Sequence, residues 1–182
     1  MSADRSRVYL EERSCRQLVE ADLVDSIESN HLDDFERLWR SHPRVQSEQH
    51  RHWDWRGKLA HYSGQLSYQF FALECGGKTQ GMMIVNTMKR CRLPQQANKH
   101  LVYVEYLEVA PWNRRSVVSN PTYKGVGSVL IAAAIQLSID EGNHGRIGLH
   151  ALPQADTFYR NVCGMTDLGP DASYNPQHPL RY

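Results

Sequence analysis

The feature that most constrains the fold is a strand, a glycine turn and a helix in close succession. An apolar run rich in β-branched and aromatic residues, Leu101 to Val109, predicts a buried strand that Pro111 closes. The segment Thr122 to Ser128 follows, with glycines at Gly125 and Gly127. After it, Ala, Leu and Ile residues recur at helical spacing. The order predicts a sheet strand joined to a helix through a glycine turn.

The glycine turn is suited to holding a phosphate. Its two glycines let the backbone approach an anion closely, and the following helix directs unpaired N–H groups at the same point. Lys124 adds a positive charge. A Walker loop is absent, and Leu130 stands where the third glycine of a dinucleotide fingerprint belongs. The turn therefore predicts a phosphate loop of another kind.

Composition predicts one soluble domain over residues 1–182. The chain is 41% apolar and 23% charged, and its formal net charge of +1 gives no general attraction for nucleic acid or anionic membranes. No apolar run approaches the roughly 20 residues that cross a bilayer. Four cysteines lack metal-ligand or disulfide-framework spacing. We expect a cytoplasmic protein without a bound metal; the cysteines are Cys15, Cys75, Cys91 and Cys163.

The N-terminal part, residues 1–65, is expected to shape the substrate site. Val8 to Glu11 predicts a short strand, and apolar residues from Leu18 to Trp39 at spacings of three and four predict amphipathic helices that end before Pro43. Trp53 and Trp55, which lie among histidines, are candidates for a substrate pocket. Alternatively, their indoles cap the edge of the core.

Residues 66–182 are expected to form a cofactor-binding core. Two β-rich runs separated by a glycine-containing loop predict a hairpin. Strand, helix, strand, short helix and last strand follow, so we predict a mixed α/β or α+β fold with helices on both faces of the sheet. The predicted elements are Tyr68 to Leu73, Met82 to Thr87, Leu101 to Val109, the helix after Ser128, Arg146 to His150 and Ala155 to Val162.

Three segments, in this order, resemble the GNAT acetyltransferase superfamily. Glu105 to Pro111 is similar to the family's fourth strand, and Thr122 to Gly127 to its motif [QR]-x-x-G-x-[GA]. Ala155 to Arg160, followed by Cys163 to Met165, is similar to its "FY…GF" helix and turn. The resemblance covers about residues 67–169. It implies a central mixed, mostly antiparallel sheet and acetyl-CoA as co-substrate.

The chain departs from the family pattern at several positions. Thr122 replaces the usual Gln or Arg, Leu152 stands where an Asn often holds the cofactor, and Met165 replaces the usual Phe. The connection over residues 110–122 is also longer than usual. These departures leave the cofactor contacts dependent mainly on the backbone of the glycine turn.

The resemblance assigns roles along the strand and the turn. Main-chain groups of Leu107 and Val109 would pair with the pantetheine arm and polarise the thioester carbonyl. Backbone N–H groups of the turn would bind the pyrophosphate of CoA. The implied cofactor-binding residues are Leu107, Val109, Tyr123, Lys124, Gly125, Val126, Gly127 and Ser128.

Two side chains are candidates for catalysis, and a third is a candidate for a proton relay near the acceptor. Glu105 aligns with a fourth-strand glutamate that some family members use as a base, although it could instead bind neighbouring backbone N–H groups. Tyr159 occupies the position of a phenol that donates a proton or hydrogen bond to the departing CoA sulfur. His150 is a candidate proton relay facing the acceptor, with a packed or solvent-facing histidine as the alternative.

The resemblance implies an N-acetyltransferase acting on a primary amine of a small molecule or amino-acid-like acceptor. One alternative is acetylation of a macromolecule, such as a protein N-terminus, a lysine or aminoacyl-tRNA, although the near-zero charge disfavours nucleic acid. Another is a non-catalytic CoA-binding sensor. Exposed strands in such sheets often pair across a homodimer.

Overall fold

The structure is a computed structural model that describes residues 3–43, 45, 50–171 and 173–181, with the backbone alone for 175–181. Its strands are β1 (Arg5–Glu12), β2 (Gln17–Val24), β3 (Tyr68–Cys75), β4 (Lys78–Arg90), β5 (His100–Val109), β6 (Tyr123–Lys124), β7 (Ile147–His150), β8 (Asp167–Asp171) and β9 (Asn175–Arg181). Its helices are α1 (Ser29–Asp34), extended by a π-helical turn over Phe35–Trp39, then α2 (Trp55–Tyr62), α3 (Val126–Asp140) and α4 (Asp156–Asn161).

The chain divides into two compact units. The first comprises Met1–Met83 and Leu107–Leu130, and the second comprises Ile84–Tyr106 and Ile131–Tyr182. Strands β4 and β5 and helix α3 contribute residues to both units.

The first unit contains an antiparallel sheet. Strand β1 pairs with β2, and β2 pairs with β3 so that Leu23 lies opposite Leu73. The short β6 pairs with the other edge of β1, where Tyr123 lies opposite Glu12. The strand order in this unit is therefore β6-β1-β2-β3-β4. The pairing places the glycine turn directly after an edge strand of the sheet.

The predicted helix beginning at Leu18 is wrong, because this segment is strand β2. Glu20 and Asp22 are exposed and alternate with the buried Ala21 and half-buried Leu23. Leu18 itself is 72% exposed, so it cannot belong to a buried helical stripe. The alternation is the pattern of a half-buried strand, and the cross-strand partner β1 decides between the two periods. The second predicted helix is confirmed as α1 and its π-helical extension.

A polar network joins α1 to β3. His31 is fully buried, and its Nδ1 accepts the Glu28 backbone N–H at 2.9 Å, so its Nε2–H donates to Glu74 Oε1 at 2.6 Å. Arg5 and Asn30 also donate to the Glu74 carboxylate. Burial alone would raise the pKa of Glu74, but the hydrogen bonds from Arg5, His31 and Asn30 outweigh it and lower the pKa to about 2.

The second unit contains the parallel pairing of the sheet. Strands β5 and β7 run parallel, with Val102 opposite Ile147, whereas β7 and β8 each pair antiparallel with β9. The strand order here is β4-β5-β7-β9-β8. The centre of this unit is apolar; its most buried residues include Leu101, Val102, Val104, Ala134 and Leu149.

The observed architecture confirms the predicted fold class. Antiparallel pairs surround the parallel β5–β7 pair, and helices flank the strands, as expected for an α+β fold with a mixed, mostly antiparallel sheet. The last strand of the prediction is two strands, β8 and β9. The predicted β3–β4 hairpin, α3, β7 and α4 are present near their expected bounds.

Candidate functional site

The glycine turn lies in the first unit, between β6 and α3. Gly125 has a φ of +102°, which residues with a side chain rarely adopt. Helix α3 begins at Val126, and the Val129 amide donates to the Gly125 carbonyl at 2.9 Å. The amides of Val126, Gly127 and Ser128 precede Val129 in the chain. No helical carbonyl is therefore available to accept their hydrogen bonds. The turn therefore ends at a helix N-terminus of the kind that attracts anions.

Gly81 on β4 lets α3 lie close to the sheet. A Cβ added at Gly81 would lie 2.8 Å from Val126 Cγ1 and 2.9 Å from Leu130 Cδ1. Both neighbours are buried, at 2% and 0% exposure. A side chain at this position would push the start of α3 away. The sequence alone does not indicate this role, because a glycine next to a β-rich run looks the same as a turn glycine.

The long connection 110–122 supports the turn. The Trp112 indole N–H and the Asn113 side-chain amide both donate to Gln80 Oε1, at 2.9 Å and 2.8 Å. Asn113 Oδ1 in turn accepts the Tyr123 backbone N–H at 2.9 Å. The Tyr123 amide, one of the predicted phosphate ligands, is thus engaged within the protein. The amides at the start of α3, by contrast, have no acceptor within the helix and can bind an anion.

Lys124 extends from β6 into solvent. Its Nζ lies 3.4 Å from Glu11 Oε2, and its side chain is 64% exposed. An exposed pair of this kind is weak, so the ammonium can exchange Glu11 for a stronger anion at little cost. Burial, followed by the influence of Cys75, raises the pKa of the neighbouring Tyr123 phenol to about 12. Tyr123 therefore stays neutral at physiological pH.

The end of β5 in the first unit carries Leu107 and Val109. Both side chains are half-buried, and the next residue, Ala110, donates its amide to the Gln80 carbonyl at 2.9 Å. Glu108 points to the other face, as the alternation along the strand predicts. The predicted main-chain role of Leu107 and Val109 toward a pantetheine arm stays a prediction.

Glu108 is buried in a polar cluster. It accepts the Trp55 indole N–H at 2.6 Å, and its second oxygen lies 3.1 Å from His50 Nε2. The same nitrogen lies 3.0 Å from an Arg114 guanidinium nitrogen. Trp55 is fully buried, whereas Trp53 is half-buried and contacts His50 and Trp55 through its ring. Of the two predicted pocket tryptophans, Trp53 is the more accessible.

Glu105 belongs to the second unit and has a different environment. Its side chain is 13% exposed, and Lys89 Nζ lies 3.7 Å from its Oε1. Burial raises the pKa of the Glu105 carboxyl above its ordinary value, and Lys89 and Asn86 oppose that shift. A raised pKa makes a carboxylate a stronger base, so this environment is compatible with the predicted base; the role of Glu105 stays a prediction.

His150 lies at the end of β7, in the second unit. Its Nε2 is 2.9 Å from Asp171 Oδ2, and its Nδ1 is hydrogen-bonded to the Tyr103 phenol. The Tyr174 ring stacks on the imidazole with centroids 4.0 Å apart. His150 was predicted from its place at a strand end, but Tyr103 and Asp171 were missed. Alternation along β5 places Tyr103 on the face of Glu105, which could have indicated it.

Tyr159 lies on α4 in the second unit and is 6% exposed. Burial, and then the nearby Cys163 thiol, raises the pKa of Tyr159 above its ordinary value. Burial also raises the pKa of Cys163 to about 11. Both groups are therefore protonated at neutral pH. Tyr159 can donate a hydrogen bond or a proton, and Cys163 lacks the thiolate character of a nucleophile.

The described residues contain no helix that is long and apolar enough to span a membrane. Within the same residues, no three or more His, Cys, Asp or Glu side chains are grouped so as to hold a metal ion.

Comparisons with known proteins identify the fold. Neither a protein-family model nor a curated protein sequence matches the chain. Solved structures do. The PaiA N-acetyltransferase of Thermoplasma acidophilum, in complex with coenzyme A, is 10% identical with a TM-score of 0.60, covering 90% of this chain and 98% of its own. The GNAT domain of S. lividans PAT is 11% identical with a TM-score of 0.58, covering 97% and 94%.

A third neighbour is the aminoglycoside N-acetyltransferase AAC(6')-Iy in complex with CoA. It is 18% identical with a TM-score of 0.52, covering 79% of this chain and 84% of its own. At these identities the likeness concerns the fold alone. The chain has the fold of the GNAT acetyltransferases.

Proposed function

We propose that this protein is an acetyl-CoA-dependent N-acetyltransferase that acts on a primary amine of a small molecule or an amino-acid-like acceptor. The observation that carries the proposal is the glycine turn with Gly125 at a φ of +102°, which leads into α3 on a GNAT fold. Two of the structural neighbours described above are complexes with coenzyme A, and all three are named as acetyltransferases or GNAT domains.

The residues of the turn fit the pyrophosphate of CoA. The amides of Val126, Gly127 and Ser128 have no helical acceptor, and the helix N-terminus favours an anion. Lys124 supplies a mobile positive charge, since its partner Glu11 is held only by an exposed ion pair. The backbone supplies most of these contacts, so they depend little on the side chain of Thr122, which stands where the family has Gln or Arg.

Acetyl-CoA, when bound, supplies an activated thioester carbonyl. The acceptor must attack it as a neutral amine, whereas an alkylammonium has a pKa of about 10. Glu105 is the group that takes this proton, because its carboxyl is partly buried and its pKa is raised. The nearby Lys89 opposes this shift, because its positive charge favours the ionised carboxylate.

Tyr159 acts at the other end of the transfer. CoA leaves as a thiolate, whose reference pKa is near 8.5, and a protonated phenol can donate a hydrogen bond to it. The buried Tyr159 stays protonated across the physiological range. Its role is to stabilise negative charge on the leaving sulfur.

A first experiment measures release of free CoA thiol from acetyl-CoA across a panel of polyamines, aminoglycosides, amino acids, peptides and aminoacyl-tRNA. We expect turnover with at least one small amine and a loss of activity in Gly125→Val, which cannot adopt the turn. Tyr9→Phe, an exposed tyrosine on β1, serves as the control and keeps full activity. Tight CoA binding with no turnover on any acceptor would instead support a sensor, and turnover only with peptides or aminoacyl-tRNA would support a macromolecular acceptor.

A further inference from the structure

His150 is held between an acid and a phenol in the second unit. Asp171 Oδ2 lies 2.9 Å from His150 Nε2, and the Tyr103 hydroxyl is bonded to His150 Nδ1. An ionised carboxylate can only accept a hydrogen bond, so Nε2 carries the proton. Nδ1 then has a free electron pair, and the Tyr103 O–H donates to it. The contacts thus define one direction of proton movement, from Tyr103 to His150.

Asp171 is built to remain ionised. Its Oδ1 accepts the Ser173 hydroxyl at 2.6 Å and the Ser173 backbone N–H at 3.0 Å. Its Oδ2 accepts from His150 and also from the Arg92 guanidinium. Hydrogen bonds from Ser173, then His150, hold the pKa of Asp171 well below its ordinary range. The carboxylate therefore orients the imidazole at every pH at which an acetyltransferase would work.

The three side chains are shielded from solvent. The side chains of His150 and Asp171 are 8% and 5% exposed, and Tyr103 is 8% exposed. Such isolation makes each hydrogen bond stronger than it would be in water. Burial of these three polar side chains also destabilises the fold unless each of them is hydrogen-bonded.

The Tyr103 end of this chain of hydrogen bonds lies on the same strand as Glu105. Tyr103 and Glu105 are two residues apart on β5, so their side chains share one face of the strand. Lys89 Nζ lies 3.7 Å from Glu105 Oε1 and 5.6 Å from the centre of the Tyr103 ring, so it contacts both groups.

A second neighbour also links the two groups. Tyr174 stacks on His150, and after burial the charges of Tyr106 and Glu105 contribute to the raised pKa of its phenol. Strands β5 and β7 are paired as far as Val104 and Leu149. Glu105 is the next residue on β5, and His150 is the next residue on β7.

Glu105 alone is a poor final acceptor for the proton of the substrate. Reference pKa values are about 10.4 for an alkylammonium, about 4.3 for a glutamic acid and about 6.5 for an imidazole. Transfer from the ammonium to the carboxylate is therefore unfavourable by roughly six pKa units. Transfer to an imidazole is unfavourable by about two pKa units less. An imidazole paired with a buried carboxylate gains further, because the negative charge favours its protonated form.

We propose that Tyr103, His150 and Asp171 form a proton relay that takes from Glu105 the proton it removes from the acceptor amine. The relay rests on the proposed acetyltransferase function. Tyr103 and His150 pass the proton, and Asp171 is a positioning residue that fixes the tautomer of His150.

The proton transfers balance without another reagent. The acceptor ammonium gives one proton to the Glu105 carboxylate and becomes a neutral amine. The Glu105 O–H then donates to the Tyr103 oxygen while the phenol proton moves to His150 Nδ1. Glu105 is again ionised, Tyr103 is again a neutral phenol, and His150 is an imidazolium beside the Asp171 carboxylate. The imidazolium returns this proton to water before the next cycle, through the 8% of the His150 side chain that solvent reaches.

The electrostatic surroundings of His150 come from several elements. The titratable or charged groups that face it or its partners, among the side chains the structure describes, are Tyr103 and Glu105 on β5, Lys89 and Arg92 at and after the end of β4, Asp171 on β8 and Tyr174 after β8. Asp171 favours the imidazolium, whereas Arg92 opposes it. Their separate effects can therefore be tested by substitution.

The pH dependence of kcat/KM for the acceptor tests the relay. Both Glu105 and His150 must be deprotonated, so the acidic limb of the parent should approach a slope of two. Tyr103→Phe and His150→Gln should each lower kcat about 100-fold, the usual scale for proton-transfer groups, and reduce the slope to one. His100→Gln, a histidine at the first residue of β5, is the matched control and should keep the slope of two. A parent slope of one, or an unchanged slope in His150→Gln, would overturn the relay.

An NMR measurement tests the same proposal without catalysis. ¹⁵N shifts of the His150 ring in the full chain should show a proton on Nε2 and none on Nδ1 at neutral pH. Asp171→Asn should lower the apparent pKa of the imidazole, because the charge that stabilises the imidazolium is gone. A proton on Nδ1, or an unchanged titration in Asp171→Asn, would contradict the relay. Absence of thiol release with the expected tautomer would instead refute the proposed function and leave the hydrogen-bond chain as a structural feature.

Discussion

Replacing Gly81 by alanine tests whether close packing of α3 on the sheet supports the glycine turn. The new Cβ would lie 2.8 Å from Val126 Cγ1 and 2.9 Å from Leu130 Cδ1. Carbon atoms in contact normally lie about 3.5–4.0 Å apart, so the start of α3 must shift by roughly 1 Å. Overpacking of this kind costs about 1–3 kcal/mol. Gly81 does not have a positive φ, so backbone strain adds nothing to this cost.

Whether Gly81→Ala raises or lowers stability depends on the contact between the new Cβ and α3. Without it, Gly→Ala in an unstrained backbone stabilises a protein by about 0.4–1 kcal/mol. With it, we expect Gly81→Ala to lower the free energy of unfolding by about 1–2 kcal/mol in urea titrations. Because the amides at the start of α3 move with the helix, the dissociation constant for CoA should rise about tenfold, or 1.4 kcal/mol, by titration calorimetry.

A second substitution tests whether the contact between the new Cβ and Val126 causes the loss of stability. Val126→Ala removes the stiff methyl group nearest the new Cβ, whereas the far end of Leu130 can rotate away. The double variant should therefore cost at least about 1 kcal/mol less than the sum of the single variants and recover CoA affinity. Gly77→Ala, at a φ of +68° with open space around it, should lose stability without losing CoA affinity. Gly81→Ala with parent stability and parent CoA affinity, or a strictly additive double variant, would refute the packing argument.

Two further predictions concern single side chains. Tyr159→Phe should lower kcat by about 10–100-fold and leave the dissociation constant for acetyl-CoA unchanged, since only the proton donor is lost; unchanged turnover would remove Tyr159 from the mechanism. Glu74 has a pKa lowered from 4.5 to about 2, so it stabilises the fold above pH 4.5 and loses this contribution as pH falls toward 2. The pKa shift corresponds to a contribution of at most ~3 kcal/mol to the free energy of unfolding. Because the Arg5 side chain is partly exposed, we expect a contribution of about 2 kcal/mol. Urea unfolding of Glu74→Gln should show that loss at pH 7 and a weaker dependence on pH below 4.5; parallel pH curves for variant and parent would contradict this assignment.

The elements with a single strong pattern could be predicted from the sequence. The apolar run of β5 matches only a strand, and the Ala- and Leu-rich α3 matches only a helix. The glycines between them mark a turn. Strand β2 could not be predicted, because Leu18 and Leu23 also match a helical stripe. The pairing of β2 with β1 and with β3, which are contacts between separate segments, decides between the two patterns.

The candidate site shows the same limit. The glycine turn and Glu105 can be predicted as candidates because each lies within a local motif. Asp171 and Tyr103 were missed, because they are brought to His150 by strands that are distant in the sequence. Gly81 was missed for a similar reason, since its importance lies in Val126 and Leu130, which meet it only in the folded first unit.

The most direct test of the proposed function follows the acetyl group itself. The full chain is incubated with acetyl-CoA labelled in the acetyl carbons and with the amine that gives the fastest thiol release, and the products are analysed by mass spectrometry. The proposal predicts that the label moves to the amine nitrogen as an amide, in an amount equal to the CoA thiol released. Label recovered only as acetate or as intact acetyl-CoA would contradict an N-acetyltransferase.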